Sequence, residues 1–105
     1  MNVKHRKKVL RQAHSLRKNN ENLSFSYCLR LSWAAYHLYL DMQGGNIVEF
    51  KFYKSNGSIR NASGTLASQA KSPDRRFENV FLYFDTDKNL LRSFKIENLI
   101  IDEKQ

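Results

Sequence analysis

The sequence predicts an α+β protein in which N-terminal helices precede a five-stranded small β-barrel. Three observations lead to this prediction. Apolar residues recur at helical spacing as far as Met42, and they alternate with polar residues after Asn46. A glycine pair, Gly44-Gly45, separates the two patterns. The chain has 105 residues, which is enough for one small hydrophobic core but not for two.

The first helix is predicted over residues 3–18, a stretch without Gly or Pro. Its apolar stripe is thin and is formed by Leu10, Ala13 and Leu16, with Val3 and Val9 as further candidates. A helix with so little apolar surface is marginal alone and needs packing or a partner to persist. We therefore treat residues 1–20 as a basic N-terminal helix and residues 21–105 as a single domain.

The second helix is predicted to begin at a serine cap, Ser24 or Ser26, and to end at the glycine pair. It carries two adjacent apolar stripes, one of Phe25, Leu29, Trp33, Tyr36 and Leu40 and one of Cys28, Leu31, Ala35, Leu38 and Met42. So wide an apolar face exceeds what one small barrel covers. We expect either a homodimer through this face or coverage by the N-terminal segment. Trp33 is expected to be buried between this helix and the sheet.

Five strands are predicted after the helices. Residues 46–54 and 58–66 form a hairpin in which Asn56-Gly57 supplies the positive φ angles of the turn. The other strands are residues 79–85, 90–95 and 99–102, with one helical turn at 96–98. Small residues in the polar second strand permit the sharp bends of a barrel. This order is typical of an SH3-like barrel, and the alternative is an open sheet.

The net charge of +8 is concentrated at one end of the chain. Residues 1–20 contain seven basic residues and no acidic one, and these seven are Lys4, Arg6, Lys7, Lys8, Arg11, Arg17 and Lys18. Unbroken positive charge favours contact with nucleic acid or a nucleoprotein, because binding releases counterions from phosphate. The alternatives are solvated charge without a partner, a membrane surface and an acidic protein.

The predicted barrel offers a second basic set, formed by Lys51, Lys54, Arg60, Arg75, Arg76, Arg92 and Lys95. Within it, Lys51, Arg60 and Arg92 are the candidate nucleic-acid-binding residues. Tyr53 and Tyr83 could stack on bases, or they could pair across strands. RNA is favoured over duplex DNA, since the sequence has neither a helix-turn-helix nor a zinc-finger pattern.

No catalytic constellation is visible, so we expect neither an enzyme nor a metal or other cofactor. His37 is interpreted as a histidine at the rim of an apolar face, and Cys28 as a core residue. Residues 85–89 imitate the start of a calcium loop, but Leu90 and Ile96 stand where that loop needs Gly and Glu. We interpret this segment as a turn stabilised by Asp side chains.

Hydropathy predicts no segment that crosses a membrane, because no run of eighteen apolar residues occurs. The basic N-terminus is not followed by the apolar core of a signal peptide. We therefore expect a cytoplasmic protein.

Two stretches, "VEFKFYKSNGSIRNASGTL" and "VFLYFDTDKNLLRSFKIENLI", carry a family resemblance, and further shared residues begin at Leu31. They resemble small SH3-like β-barrel proteins found mainly in Bacteroidetes and their phages, whose pattern G-x-I-R-x-A-x-G-T-L this chain matches at residues 57–66. Leu91 departs from the family, which often carries Trp at that position, and the loop after Leu66 is short. The shared part covers about two-thirds of the chain and excludes the basic N-terminal helix.

A small basic protein of this kind is also similar to anti-CRISPR proteins, which engage a nuclease or its guide RNA. We therefore predict a non-catalytic binding module that contacts RNA or a ribonucleoprotein and inhibits an RNA-guided CRISPR nuclease. The alternative is a protein–protein adaptor or homodimerisation module that does not bind nucleic acid.

Overall fold

The computed structural model describes residues 3–66 and 79–101, and side chains from residue 5 onward. Its elements are α1 (Val3–Asn19), α2 (Phe25–Gln43), β1 (Val48–Tyr53), β2 (Ile59–Thr65), β3 (Val80–Asp85), β4 (Leu90–Lys95) and a 3-10 helix (Ile96–Asn98). Both helices, the first four strands and the helical turn thus lie where the sequence predicts them. None of the helices in these two segments is long and apolar enough to cross a membrane.

Helix α1 packs on α2 with one narrow face. Val9, Ala13 and Leu16 on this face are buried, whereas Leu10 is 43% exposed. The prediction that Leu10 belongs to the apolar stripe is therefore wrong. Val9 shares the spacing of four and three residues with Ala13 and Leu16, and Leu10 falls outside that face.

Helix α2 has the predicted ends. Ser24 Oγ accepts a hydrogen bond from the backbone N–H of Tyr27 at 3.1 Å, which caps the first turn. At the other end the N–H groups of Gly44 and Gly45 bond back to Leu40 and Met42, and Gly45 has a φ of +91° that favours glycine.

The two apolar stripes of α2 have different partners. Cys28, Leu31, Ala35 and Met42 are buried in the main core with the sheet. The neighbouring stripe faces α1, with the ring of His14 against Phe25 and the ring of His5 against Tyr36. The N-terminal segment therefore covers part of the second stripe, at Phe25 and Tyr36, which is one of the two predicted alternatives.

Trp33 is not buried between α2 and the sheet, so this prediction is wrong. Its side chain is only partly buried, and it lies outside the core cluster. Its ring contacts are with Tyr36 and His37 on its own helix. The stripe that contains Trp33 packs toward α1 and not toward the sheet. Trp33 therefore lies on the outer flank of the helix pair.

The four strands form an antiparallel sheet in the order β1-β2-β3-β4. The predicted fifth strand is not confirmed, and the sheet is not closed. After the 3-10 helix the chain returns to β1 through a single bridge, Phe52 to Leu99, with a hydrogen bond from Ile100 N to Lys51 O at 3.0 Å. Residue 102, where the strand was predicted to end, lies outside the described residues.

The turn between β1 and β2 differs in detail from the predicted one. Gly57 alone has a positive φ, at +90°, and its N–H bonds to Lys54 O at 2.9 Å. Asn56 contributes through its side chain, whose Oδ1 accepts the backbone N–H of Ser58 at 3.0 Å. The turn thus has one residue with a positive φ, whereas two such residues were expected.

The second strand carries small residues on its inner face because large aromatic rings of the neighbouring strands fill the space beside them. Ala62 lies opposite Phe50, and Gly64 lies opposite Val48. The ring of Tyr83 lies so close to Gly64 that a Cβ added there would be 2.5 Å from Tyr83 Cδ2. Tyr83 in turn meets Phe50 edge-on at 5.0 Å between ring centroids, within an inner face of aromatic residues that also contains Phe52, Phe81 and Phe94.

Candidate nucleic-acid interface

The solvent face of α1 is basic. The described side chains on it that carry positive charge are all exposed, and they are Arg6, Lys7, Lys8, Arg11, Arg17 and Lys18. Lys7, Arg11 and Lys18 are four and seven residues apart, so they form one row opposite the buried stripe. The side chain of Lys4, the seventh predicted residue, lies outside the described part.

In the described segments these charges form no ion pair with an acidic side chain. The first turn of α1 contains no acidic residue, and the ion pairs that the structure shows lie in the sheet. The N-terminal end of a helix carries a partial positive charge, so cations there cost stability. Only Arg17 and Lys18, in the last turn, complement the helix dipole. The arrangement does not serve the stability of α1 and instead favours an external anion.

The basic helix is held firmly in place. Ser32 is fully buried in α2, and its Oγ donates to the backbone carbonyl oxygen of Val9 at 2.9 Å. Asn79, just before β3, donates from Nδ2 to Ser15 Oγ at 3.0 Å. These bonds join α1 to α2 and to the sheet, so the basic row has a fixed orientation.

The second predicted set does not form one surface. Lys51 is exposed on the outer face of β1, whereas Arg60 and Arg92 lie with the inner-facing residues of β2 and β4. Both arginines meet Asp85, with Arg60 Nη2 at 2.9 Å and Arg92 Nε at 3.6 Å from Asp85 Oδ2. Of the other basic residues in this set, Lys54 and Lys95 are exposed, and Arg75 and Arg76 lie outside the described residues.

Asp85 is completely buried, and its two carboxylate oxygens bind different groups, Oδ1 the following turn and Oδ2 the two arginines. Its Oδ1 accepts the backbone N–H groups of Asp87 and Lys88 at 2.9 and 3.0 Å, which confirms the predicted turn. Burial alone would raise the pKa of Asp85, but the hydrogen bonds from Lys88, Arg60 and Asp87 outweigh it and hold that pKa below its usual value. The carboxylate therefore stays ionised and neutralises one of the two arginines.

The two tyrosines proposed to stack on bases differ in their exposure to solvent. Tyr83 is fully buried, so it offers no surface to a base. Burial is the main cause that raises its pKa, and the nearby Asp85 charge adds to it. Its hydroxyl makes no hydrogen bond of good geometry to a described residue, although Arg60 lies beside it. Tyr53 is 47% exposed at the end of β1, opposite Ile59.

The single cysteine and the histidine on α2 lie where they were predicted. Cys28 is a buried core residue, and burial raises the pKa of its thiol. His37 is exposed beside Trp33, at the rim of the apolar face. Within residues 3–66 and 79–101, no three His, Cys, Asp or Glu side chains converge as metal ligands do.

One shallow depression of about 380 Å³ lies on the outer face of the sheet. It is lined mainly by Glu49, Lys51, Asn61, Ser63 and Asp87. Two carboxylates beside one lysine give this depression no net attraction for phosphate. It therefore does not add to the basic surface of α1.

Sequence reasoning missed two features of the molecule. The ion pairs of Asp85 were not predicted, because Arg60 is 25 residues away and is placed only by the strand pairing. The stacking of Trp33 with His37 was also missed, although their spacing of four residues on a helix indicates neighbouring side chains.

Comparison with known proteins gives one match, which covers more than half of the chain. The family model WYL_2, described as an Sm-like SH3 beta-barrel fold, matches residues 35–100. No curated protein matches the chain, and no solved structure does. The matched region begins in the middle of α2 and includes the sheet, so the basic helix α1 lies outside it.

Proposed function

The chain belongs to the WYL_2 family of Sm-like SH3 beta-barrel folds, and we propose that it is a non-catalytic module that binds single-stranded RNA or a ribonucleoprotein. The solvent face of α1 is the binding surface. One observation carries the proposal: the exposed basic side chains of α1 stand without an acidic partner in the described residues, on a helix whose opposite face is buried.

The electrostatics of the two predicted basic sets support α1 over the sheet. Arg60 is already committed to a buried carboxylate, and Lys51 lies on the other face of the sheet. On α1 the exposed cations pair with no described acidic residue, so their charge is available to phosphate. Each phosphate neutralised releases counterions, which supplies a favourable free energy at low salt.

The first experiment measures the affinity for a labelled single-stranded RNA at several salt concentrations. If four side chains of α1 reach phosphates, the logarithm of the affinity should fall against the logarithm of salt with a slope of about −3. A slope near zero would mean that phosphate contact does not drive binding. Absence of binding at low salt would overturn the proposal altogether.

The second experiment assigns the surface. Reversing three charges in Lys7→Glu/Lys8→Glu/Arg11→Glu should abolish RNA binding while the protein stays folded, because all three side chains are exposed. The matched control reverses three exposed lysines of the sheet side, in Lys54→Glu/Lys88→Glu/Lys95→Glu, with the same change in net charge. If both variants lose affinity equally, net charge and not α1 is responsible.

The finer form of the proposal concerns the partner. A ribonucleoprotein such as an RNA-guided CRISPR nuclease presents guide RNA to a basic protein, and occupation of that RNA would inhibit target cleavage. The small size and net charge of +8 support this form. The test is a cleavage assay with the native chain and with the α1 charge-reversal variant. Inhibition by both, or by neither, would contradict it.

A second candidate function, a protein–protein adaptor, is favoured by the outer face of β3 and β4. Leu82 and Leu91 on this face are 45% and 48% exposed. Light scattering over a range of concentrations tests the homodimer form of this candidate. A dimer that Leu82→Ser/Leu91→Ser dissociates, in a protein without affinity for RNA, would replace the RNA proposal.

A further inference from the structure

Four aromatic rings connect the start of α1 to the outer flank of α2. The ring of His5 contacts Tyr36, with 5.3 Å between centroids. Tyr36 meets Trp33 edge-on at 6.2 Å, and Trp33 stacks on His37 at 5.9 Å with an interplanar angle of 30°. This aromatic chain belongs to neither the main core nor the sheet.

The outer end of this aromatic chain, at Trp33 and His37, is accessible to solvent. Trp33 is partly exposed and His37 is exposed, and Leu40, one turn beyond Tyr36, is 39% exposed. Among the described residues the buried hydroxyl of Tyr36 has no hydrogen-bond partner. The buried part of the Trp33 ring favours folding, and the part that stays in water is accessible to a ligand.

The aromatic chain reaches α1 at the end that begins the basic helix. His5 directly precedes Arg6, Lys7 and Lys8 in α1. Ser32, the residue before Trp33, bonds to the carbonyl of Val9, which directly follows these cations. Trp33 therefore lies at the same level along the helix pair as the basic residues.

We propose that Trp33, stacked on His37, is a platform for one base of a single-stranded nucleic acid whose phosphates lie on the exposed cations in the first turns of α1. This inference rests on the proposed function and names the part of the ligand that the rings contact. Any base fits such a platform, because every base has a π-face, and sequence preference is accordingly weak. The Trp ring gives stacking area and the cations give charge, which is the usual combination in single-strand binding.

Trp33 is the only tryptophan in the sequence, so tryptophan fluorescence reports on this residue alone. Selective excitation of Trp33 during titration with single-stranded RNA should show quenching that saturates with binding. The control ligand is an abasic strand of the same length, which has the same phosphates and no bases. It should bind with the same salt dependence and leave the emission of Trp33 unchanged. Equal quenching by both strands would overturn the stacking.

Variants supply the second measurement, by anisotropy of labelled RNA. Trp33→Ala should weaken RNA binding about tenfold and leave the abasic strand unaffected, and Trp33→Phe should restore most of the affinity. Tyr53→Ala is the matched control, because it removes an exposed ring at the end of β1. It should change the affinity for neither the RNA nor the abasic strand. Salt-dependent RNA binding that is unchanged in Trp33→Ala would overturn the platform and leave the proposed function standing. No RNA binding at low salt would overturn both.

Discussion

Gly64 lies directly against the ring of Tyr83, and there is no room between them for a methyl group. The ring is fully buried and also contacts Phe50, so the core around it is already filled. The small residues of β2 are therefore set by the size of the rings that fill the inner face of the sheet. The first prediction follows from this contact.

Gly64→Ala should lower the free energy of unfolding by about 1–3 kcal/mol, because the added Cβ overpacks a core that is already filled. Denaturation in urea measures the change. Gly44→Ala is the control, since a Cβ there meets its nearest neighbour at 3.6 Å, an ordinary contact. Equal stability of the two variants would show that Tyr83 adjusts freely.

Asp85→Asn should lower the free energy of unfolding by about 2 kcal/mol at neutral pH, because Arg60 and Arg92 lose their shared negative charge. The native pKa of Asp85 is lowered, so its ionised form stabilises the fold above the unfolded pKa of about 3.9. That stabilisation is lost as the pH falls through the native pKa. The difference between the two proteins should be constant above about pH 5 and shrink below about pH 4. A difference that does not change with pH would contradict this assignment.

Trp33→Ala should cost clearly less than the roughly 3–5 kcal/mol typical of a buried Trp, because the ring is only partly buried. About 1–2 kcal/mol is expected. Leu31→Ala on the same helix is the comparison, and since Leu31 is fully buried it should cost about 2–5 kcal/mol. Thermal or chemical denaturation of both variants ranks them, and the reverse order would place Trp33 in the core.

Deletion of residues 1–20 should destabilise the remaining chain and make it self-associate. Removal of α1 takes away Val9 and Leu16, each worth roughly 1.5–3 kcal/mol of burial, and exposes Ser32 and the rings of Phe25 and Tyr36 on α2. Light scattering and the unfolding midpoint test this. A truncated chain that stays monomeric and equally stable would mean that α1 is an appendage.

Local signals in the sequence were sufficient for the ends of the elements. The cap at Ser24, the stop at Gly44-Gly45 and the helical turn at 96–98 depend on neighbouring residues only, and all three are confirmed. Alternation likewise indicated that Phe50 and Phe52 face the core. The family match supports the SH3-like fold, although the fifth strand is reduced to one bridge.

Long-range relationships could not be predicted in the same way. Two adjacent apolar stripes on α2 do not say which faces the sheet, so Trp33 was placed in the wrong layer. The choice depends on where α1 packs, and that in turn depends on Val9 rather than Leu10 reaching the interface. For the candidate interface, charge alone identified the exposed cations of α1. It did not show that Arg60 and Arg92 are neutralised in part by a buried carboxylate.

The contacts between α1 and α2 occur at both ends and in the middle of the helix pair, through His14 with Phe25, Ser32 with Val9 and His5 with Tyr36. A disordered basic tail would lose roughly 1–2 kcal/mol of backbone entropy per residue on ordering at its target, and α1 has already lost it on folding. Its cations also keep a set interval, since Lys7 and Arg11 are about 6 Å apart along the axis. Under the proposed function, this fixed interval would favour strands whose phosphates repeat at a similar distance over equally charged polymers of another repeat.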